Sequence, residues 1–414
     1  VKNRLPVYIG PDATSRMVHY CREHGLSHFA MIVDHNTYRA VGEAAEAALR
    51  GQGWDVLTVM LEGDDIIADA CYVFQTMLAL DHEPRTFVAV GSGTITDITR
   101  FVSHRSGRDF ISLPTAPSVD GFTSIGAPMV IEMVKTTVNC QGPLAVFADL
   151  PALCAAPRKM LAAGFGDMLA KFTASADWEL GSLFGGDPFV ASIAERMRAA
   201  TWECGNRAGE IATGSCEGVN ALMDGLIESG FCLLEYGSTL PASGWEHHIS
   251  HTLEMKLLRE GRHSILHGAK VGIGVLASAR RYGIVREMGR EEAAGRLQAR
   301  PLPDVEEEIR GIRAAYGPIA DGIIAVQQPW LSMTAEEFGA LKGLVLEQWD
   351  KILRIAEVVP PAELMQGWIA GASGPVTGPE AGLSEEEVAL ATAWARCLKD
   401  RMTIGRLSWM LGIG

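Results

Sequence analysis

Apolar and polar positions follow two different rhythms along the chain. Up to about residue 150, short apolar runs at 6–10, 28–33, 55–61, 86–90, 110–113 and 144–148 read as strands. Between them, residues 13–24, 36–52, 65–80 and 94–103 carry apolar positions at helical spacing, with Gly25 stopping the first helix. Strands that alternate with helices predict a parallel, Rossmann-like sheet with helices on both faces. From about Pro151 the strand signal fades. Helical periodicity then covers 152–163, 166–183, 187–208, 216–234, 245–260 and 267–283, followed by charged amphipathic stretches at 285–298 and 304–316. A long helix is predicted over 334–356 and a Pro-, Gly- and Ala-rich loop around a short helical turn over 360–382. A last helix over 384–402 opens on Ser-Glu-Glu-Glu, an N-cap with an acidic first turn. The expected architecture is an α/β dinucleotide-binding domain over 1–150 and an all-α metal- and substrate-binding domain over 151–414.

Composition narrows the function. A chain of 414 residues, 48% hydrophobic and 21% charged, is a compact globular protein with ample core. A formal net charge of −14 disfavours nucleic acid or an anionic membrane as partner. A small phosphorylated substrate stays open, because local donors or a metal can reverse the sign within a site. The eight cysteines are scattered, with no Cys-x-x-Cys pair, and read as buried free thiols of a reducing compartment. With no signal-peptide pattern and no apolar run near twenty residues, the expected location is cytoplasmic.

The candidate chemistry gathers between Ser243 and Gly274, which holds five of the eleven histidines. His247 and His251 are four apart and share one face of a predicted helix. His267 opens another helix within His-Gly-Ala-Lys. Two imidazoles from two helices, joined by a carboxylate such as Asp167 upstream, can form a metal site, or the histidines are solvated or packed into the core. Upstream, Gly91 and Gly93 follow an apolar strand and precede a helix, the context in which backbone N–H groups meet a pyrophosphate. The turn is not Gly-x-Gly-x-x-Gly, so an ordinary strand-to-helix turn is the alternative. Asp34 ends the second strand, where it either accepts from a ribose hydroxyl, favouring NAD over NADP, or simply starts the following helix. In the polar loop 113–124, Thr115, Ser118 and Ser124 can bond a cofactor and Asp120 a substrate hydroxyl, or the loop is structural.

Four segments resemble, in order, the sn-glycerol-1-phosphate dehydrogenases, within the larger group of metal-dependent alcohol dehydrogenases that includes glycerol dehydrogenase and dehydroquinate synthase. They are the glycine-rich turn Gly93 to Asp97 and Pro-Thr-x-x-Ser-x-Asp-Gly-x-x-Ser over 114–124. Next come Gly-x-Gly-Asp-x-x-Ala-Lys over 164–171 and Glu-His-x-x-x-His with the following His-Gly. Together they cover roughly residues 86 to 275. The resemblance implies Asp167, His247 and His267 as metal ligands, with His247 preferred over His248 because it directly follows Glu246. It implies that His251, Asp120 and Asp167 touch substrate. It implies that Gly91, Gly93, Thr94, Ile95, Thr96, Asp97, Thr115, Ser118 and Ser124 line the cofactor. The order Glu-His-His excludes the His-Glu-x-x-His protease pattern.

The expected reaction is reversible reduction of dihydroxyacetone phosphate to sn-glycerol 1-phosphate. The expected cofactors are NADH, with NADPH as the lesser choice, and a divalent ion, zinc by default with nickel or iron also suited to these ligands. The alternatives are a glycerol dehydrogenase acting on an unphosphorylated polyol and a dehydroquinate synthase-like sugar-phosphate cyclase. The expected partners are a small phosphorylated polyol or ketone and further copies of the chain, as a dimer or larger homo-oligomer.

Overall fold

The computed structural model describes residues 5–413. The chain folds into two compact units. One runs to Met168 and adds Trp202–Thr239 and Gly371–Ser373; the other comprises Leu169–Thr201, Leu240–Ala370 and the chain from Gly374.

The first unit is built on a six-stranded parallel sheet of β1 (Val7–Gly10), β2 (His28–Asp34), β3 (Asp55–Leu61), β4 (Thr86–Val90), β5 (Phe110–Leu113) and β8 (Val146–Asp149), in the order β1-β8-β5-β4-β2-β3. β2, β4 and β5 are near-continuous apolar runs because helices cover both faces. Phe29, Met31, Val33, Val88 and Val90 pack on one face, and Ala30, Ile32, Phe87 and Ala89 on the other. The order reverses between β2, whose chain continues outward to β3, and β4, whose chain continues the other way to β5. In open α/β sheets ligands bind beyond the carboxyl ends of the strands at such a switch point. Asp34 ends β2 and Gly91 follows β4, so both lie at that edge.

A two-stranded antiparallel hairpin, β6 (Gly126–Ile131) and β7 (Val134–Asn139), follows β5 and is not predicted by the apolar pattern. Several predicted helices also change extent. Residues 65–80 yield only Ala70–Ala79, because Asp69 accepts from the Tyr72 N–H and caps the helix there. Residues 36–52 are not one regular helix but include a π-helical turn over Tyr38–Gly42.

In the helical region, 152–163 is split at Pro157 into Leu150–Ala155 and the start of a long helix, Arg158–Ser182, that absorbs 166–183. His267–Glu287 runs past Gly283, and the next helix is Arg290–Ala299. The stretch 334–356 breaks at Gln348 into Ala335–Glu347 and Trp349–Glu357. Within 360–382 lies a full helix, Ala362–Gly371, where only a short turn was expected. No helix among the described residues is long and apolar enough to cross a membrane. The cysteines are free, but Cys21, Cys204, Cys232 and Cys397 alone are buried. Cys71 and Cys216 are exposed, and Cys140 and Cys154 lie between, which corrects the expectation of uniformly buried thiols.

Candidate active site

The two histidine-bearing helices, Trp245–Arg259 and His267–Glu287, cross closely enough that a Cβ on Gly274 would overlap the Glu246 carbonyl. Glycine at 274 therefore sets how near His267 comes to His247. Their ring centroids are 5.3 Å apart, and His251 lies 6.2 Å from His247 and 6.0 Å from His267. One helical turn separates His251 from His247, as the spacing predicts.

Asp167 lies on Arg158–Ser182. Early in that helix, a Cβ on Gly164 would overlap the Pro117 carbonyl, so the helix backbone presses directly on the 113–124 loop. That contact explains the glycine of the Gly-x-Gly-Asp motif and brings Asp167 Oδ2 within 3.1 Å of the Asp120 N–H, which donates to it. The Asp120 carboxylate in turn accepts from the Ser229 hydroxyl at 2.8 Å. On the same helix as Ser229, Gly230 leaves no room for a Cβ beside Thr123 and the Asp120 carbonyl. Asp120 is thus fixed from two helices. Asp167, His247 and His267 each offer one ligand atom, and these atoms lie within 4.8 Å of one another.

The surroundings of His247 suit a ligand. Its Nδ1 donates to Glu246 Oε1 at 2.8 Å, which leaves Nε2 with a lone pair to present. Glu246 is fully buried and also accepts from the Gly244 N–H at 2.7 Å and the Thr173 hydroxyl at 2.9 Å. Asp177 extends this support. It accepts from the Trp245 N–H, the Tyr282 hydroxyl and the Ile404 N–H at 2.6–2.7 Å, and burial pushes its carboxyl up to about 7. His248 has a different environment. It is buried beside Arg401, and desolvation together with that cation holds its pKa well below the usual imidazole range, as for a neutral core histidine. One carboxylate and two imidazoles, one of them oriented by a buried acid, fit a divalent ion.

At the switch point, the Gly93–Arg105 helix starts on Gly93 with its first N–H groups directed out of the sheet edge. A Cβ at Gly93 would press on Val119 at 2.9 Å, and one at Gly91 would overlap Ile95 at 2.5 Å. Ile95 is a core residue whose side chain packs beneath the sheet. Thr94 and Asp97 are half-buried and Thr96 is buried. Thr115, Ser118 and Ser124 are also buried, with the Thr115 N–H donating to the Gly91 carbonyl. Asp34 caps its helix: Oδ1 accepts from the Asn36 and Thr37 N–H groups at 2.8 Å, a bond set that does not use Oδ2. Both readings of Asp34 from the sequence are therefore compatible in one side chain.

Sequence reasoning assigned no role to Arg100, Ser229, Thr173 or Asp177. Arg100 is fully buried and donates to the Gly126 carbonyl at 2.7 Å, to the Gly121 carbonyl and to Asp97 at 3.3 Å, tying the turn that ends at Asp97 to the loop that carries Asp120. Burial pushes the Asp97 carboxyl up to about 7 against the pull of Arg100. The available signal was an arginine three residues after Asp97, an offset that pairs side chains on a helix. Ser229, Thr173 and Asp177 carry none.

Residues 8–157 match a family described as iron-containing alcohol dehydrogenase. A glycerol-1-phosphate dehydrogenase [NAD(P)+] of Bacillus velezensis is 35% identical over 96% of this chain and 89% of its own length. One from Halalkalibacterium halodurans is 42% identical over 65% of this chain and 68% of its own. Among solved structures, glycerol dehydrogenase from Schizosaccharomyces pombe superposes with a TM-score of 0.61 at 16% identity, covering all of this chain and 90% of that one, which shows the shared fold. With identity sustained over nearly the whole of the Bacillus relative, the chain belongs to the glycerol-1-phosphate dehydrogenase family.

Proposed function

We propose that this chain is an NAD(P)- and metal-dependent oxidoreductase that interconverts dihydroxyacetone phosphate and sn-glycerol 1-phosphate. The observation that carries the reading is the convergence of Asp167, His247 and His267 in a chain so similar to named glycerol-1-phosphate dehydrogenases. That similarity favours the phosphorylated substrate over the polyol and cyclase alternatives.

Asp167, His247 and His267 hold the divalent ion, with Glu246 keeping His247 in the tautomer that presents Nε2. When bound, the ion supplies Lewis-acid stabilisation of the oxygen on C2, and the nicotinamide supplies the hydride. Zinc is the default ion; nickel and iron suit the same ligands. In the reducing direction C2 gains a hydride and its oxygen gains a proton. His251 delivers that proton or holds that oxygen, one turn from His247. Asp120, fixed by Ser229, accepts from a substrate hydroxyl. Gly91, Gly93 and the first N–H groups of Gly93–Arg105 hold the pyrophosphate, with Thr94, Thr96, Asp97, Thr115, Ser118 and Ser124 around it. Asp34 Oδ2 accepts from the ribose and opposes a 2′-phosphate, so NADH is preferred. The enzyme acts in the cytoplasm as a homo-oligomer.

The test follows NADH oxidation with dihydroxyacetone phosphate, with dihydroxyacetone and with no substrate. Turnover on the phosphate well above that on the free ketone is expected. Equal or better turnover on dihydroxyacetone would replace this reading with a glycerol dehydrogenase.

A further inference from the structure

We propose that Cys154 and Cys216 form a peroxide-responsive dithiol that closes to a disulfide, a modification site separate from the dehydrogenase centre. The two are 62 residues apart in sequence, yet the Cys154 thiol donates to the Cys216 sulfur across 3.5 Å. They sit on two helices of the first unit that pack together, Leu150–Ala155 and Cys216–Tyr236. A disulfide needs its sulfurs at about 2.05 Å. Side-chain rotation at the last turn of a six-residue helix and the first residue of another can supply that approach.

The pair is asymmetric. Cys216 is exposed and meets an oxidant first; Cys154 is half-buried. Burial and the neighbouring sulfur push the Cys154 thiol up to about 11, so it keeps its proton until it reacts. Arg158 donates to the Cys154 carbonyl at 3.1 Å, and its guanidinium lies over Gly214, two residues before Cys216. Glu217 opposes that cation at Cys154. Neither thiol belongs to the metal, substrate or cofactor sets, so nothing in the proposed reaction requires this proximity.

The step balances with a hydroperoxide as oxidant. The Cys216 sulfur attacks the peroxide; an S–O bond forms, the O–O bond breaks, and water leaves with hydrogen peroxide as reactant, giving a sulfenic acid at Cys216. The Cys154 sulfur then attacks the Cys216 sulfur. An S–S bond forms, the S–O bond breaks, and the departing hydroxide takes the Cys154 proton as a second water. The two thiols lose two electrons and the peroxide gains them.

The purified, reduced protein is treated with hydrogen peroxide and mapped by mass spectrometry, with dimedone to trap sulfenic acid. Wild type is expected to lose the mass of two hydrogens and to yield one linked peptide pair, Cys154 with Cys216, reversed by dithiothreitol. In Cys154→Ser the resolving thiol is gone, and a dimedone adduct at Cys216 accumulates several-fold above wild type. Cys216→Ser yields no linked pair, and Cys71→Ser, which removes the other exposed thiol, behaves as wild type. A wild-type map without the 154–216 pair overturns the proposal. So does a Cys216 adduct in wild type equal to that in Cys154→Ser. The wild-type map and its reversal need no variant to fold.

Discussion

At the scale of single residues, the histidine spacing set geometry directly, because a four-residue offset places His251 one helical turn from His247. His251 lies about as far from His247 as from His267 but outside the set of converging ligand atoms. His251→Ala is therefore expected to keep its metal and lose about 10²–10⁴-fold in kcat, the usual cost of a proton-transfer group. Lost metal would make it a ligand, and near-normal kcat would remove it from the mechanism. Asp34 needs a variant that separates its helix cap from its proposed ribose contact. Asn caps a helix about as well as Asp, so Asp34→Asn should melt within a degree or two of wild type. Its kcat/KM ratio of NADPH to NADH should rise through loss of charge alone; an unchanged ratio would leave Asp34 as a cap only. Asp97 is the residue whose titration the sequence concealed, since burial beside Arg100 is a tertiary fact. Its folded pKa lies above the unfolded one, so its contribution to stability is fully present below about pH 4 and is lost as pH rises through about 7. Urea titrations across that window should show Asp97→Asn with a flatter pH dependence than wild type; parallel curves would contradict the shift.

At the scale of elements, apolar runs marked the six parallel strands almost to the residue, since strands buried on both faces leave an unmistakable signal. The β6–β7 hairpin escaped because Val134–Asn139 is half to fully exposed and reads Val-Lys-Thr-Thr-Val-Asn. Its turn also uses Glu132 and Met133 at positive φ, 49° and 65°, where Asn-Gly or Gly would have advertised it. Helix ends were lost where local chemistry outweighed periodicity: the Asp69 cap, the Pro157 break and the interruption at Gln348. The glycine of the Gly-x-Gly-Asp motif was legible as a pattern but not as a cause. Its cause is backbone contact between Gly164 and Pro117, and backbone cannot yield as a side-chain tip can. Gly164→Ala is expected to cost about 1–3 kcal/mol, as overpacking does, and to lower kcat/KM by shifting Asp167 relative to Asp120. Unchanged urea midpoint and activity would mean that the helix and loop separate freely.

At the scale of the whole molecule, the proposed ligand set makes metal affinity and folding stability one linked quantity, because the unfolded chain does not hold Asp167, His247 and His267 together. A ligand that binds only the folded state stabilises it by about 2.7 kcal/mol at a hundred times its Kd. Chelated protein should therefore melt lower than metal-loaded protein, and titrating zinc, nickel or iron(II) back should raise the midpoint in a saturable way. His247→Ala and His267→Ala should lose that rise, whatever their own metal-free midpoints. Glu246 tests whether the support beneath the proposed ligands matters as well as the ligands themselves. Glu246→Gln keeps the size of the side chain but weakens the acceptor that orients His247, and such changes typically cost about 10–100-fold in metal affinity. Its metal-dependent rise should reach a similar height but need about 10–100-fold more metal. Reading each variant against its own metal-free state separates this from general damage to a buried site that also serves Gly244 and Thr173. If both histidine variants keep the full metal-dependent rise, Asp167, His247 and His267 are not the ligand set. A Glu246→Gln titration that overlays wild type would leave the ligands intact but make His247 orientation independent of its buried neighbour.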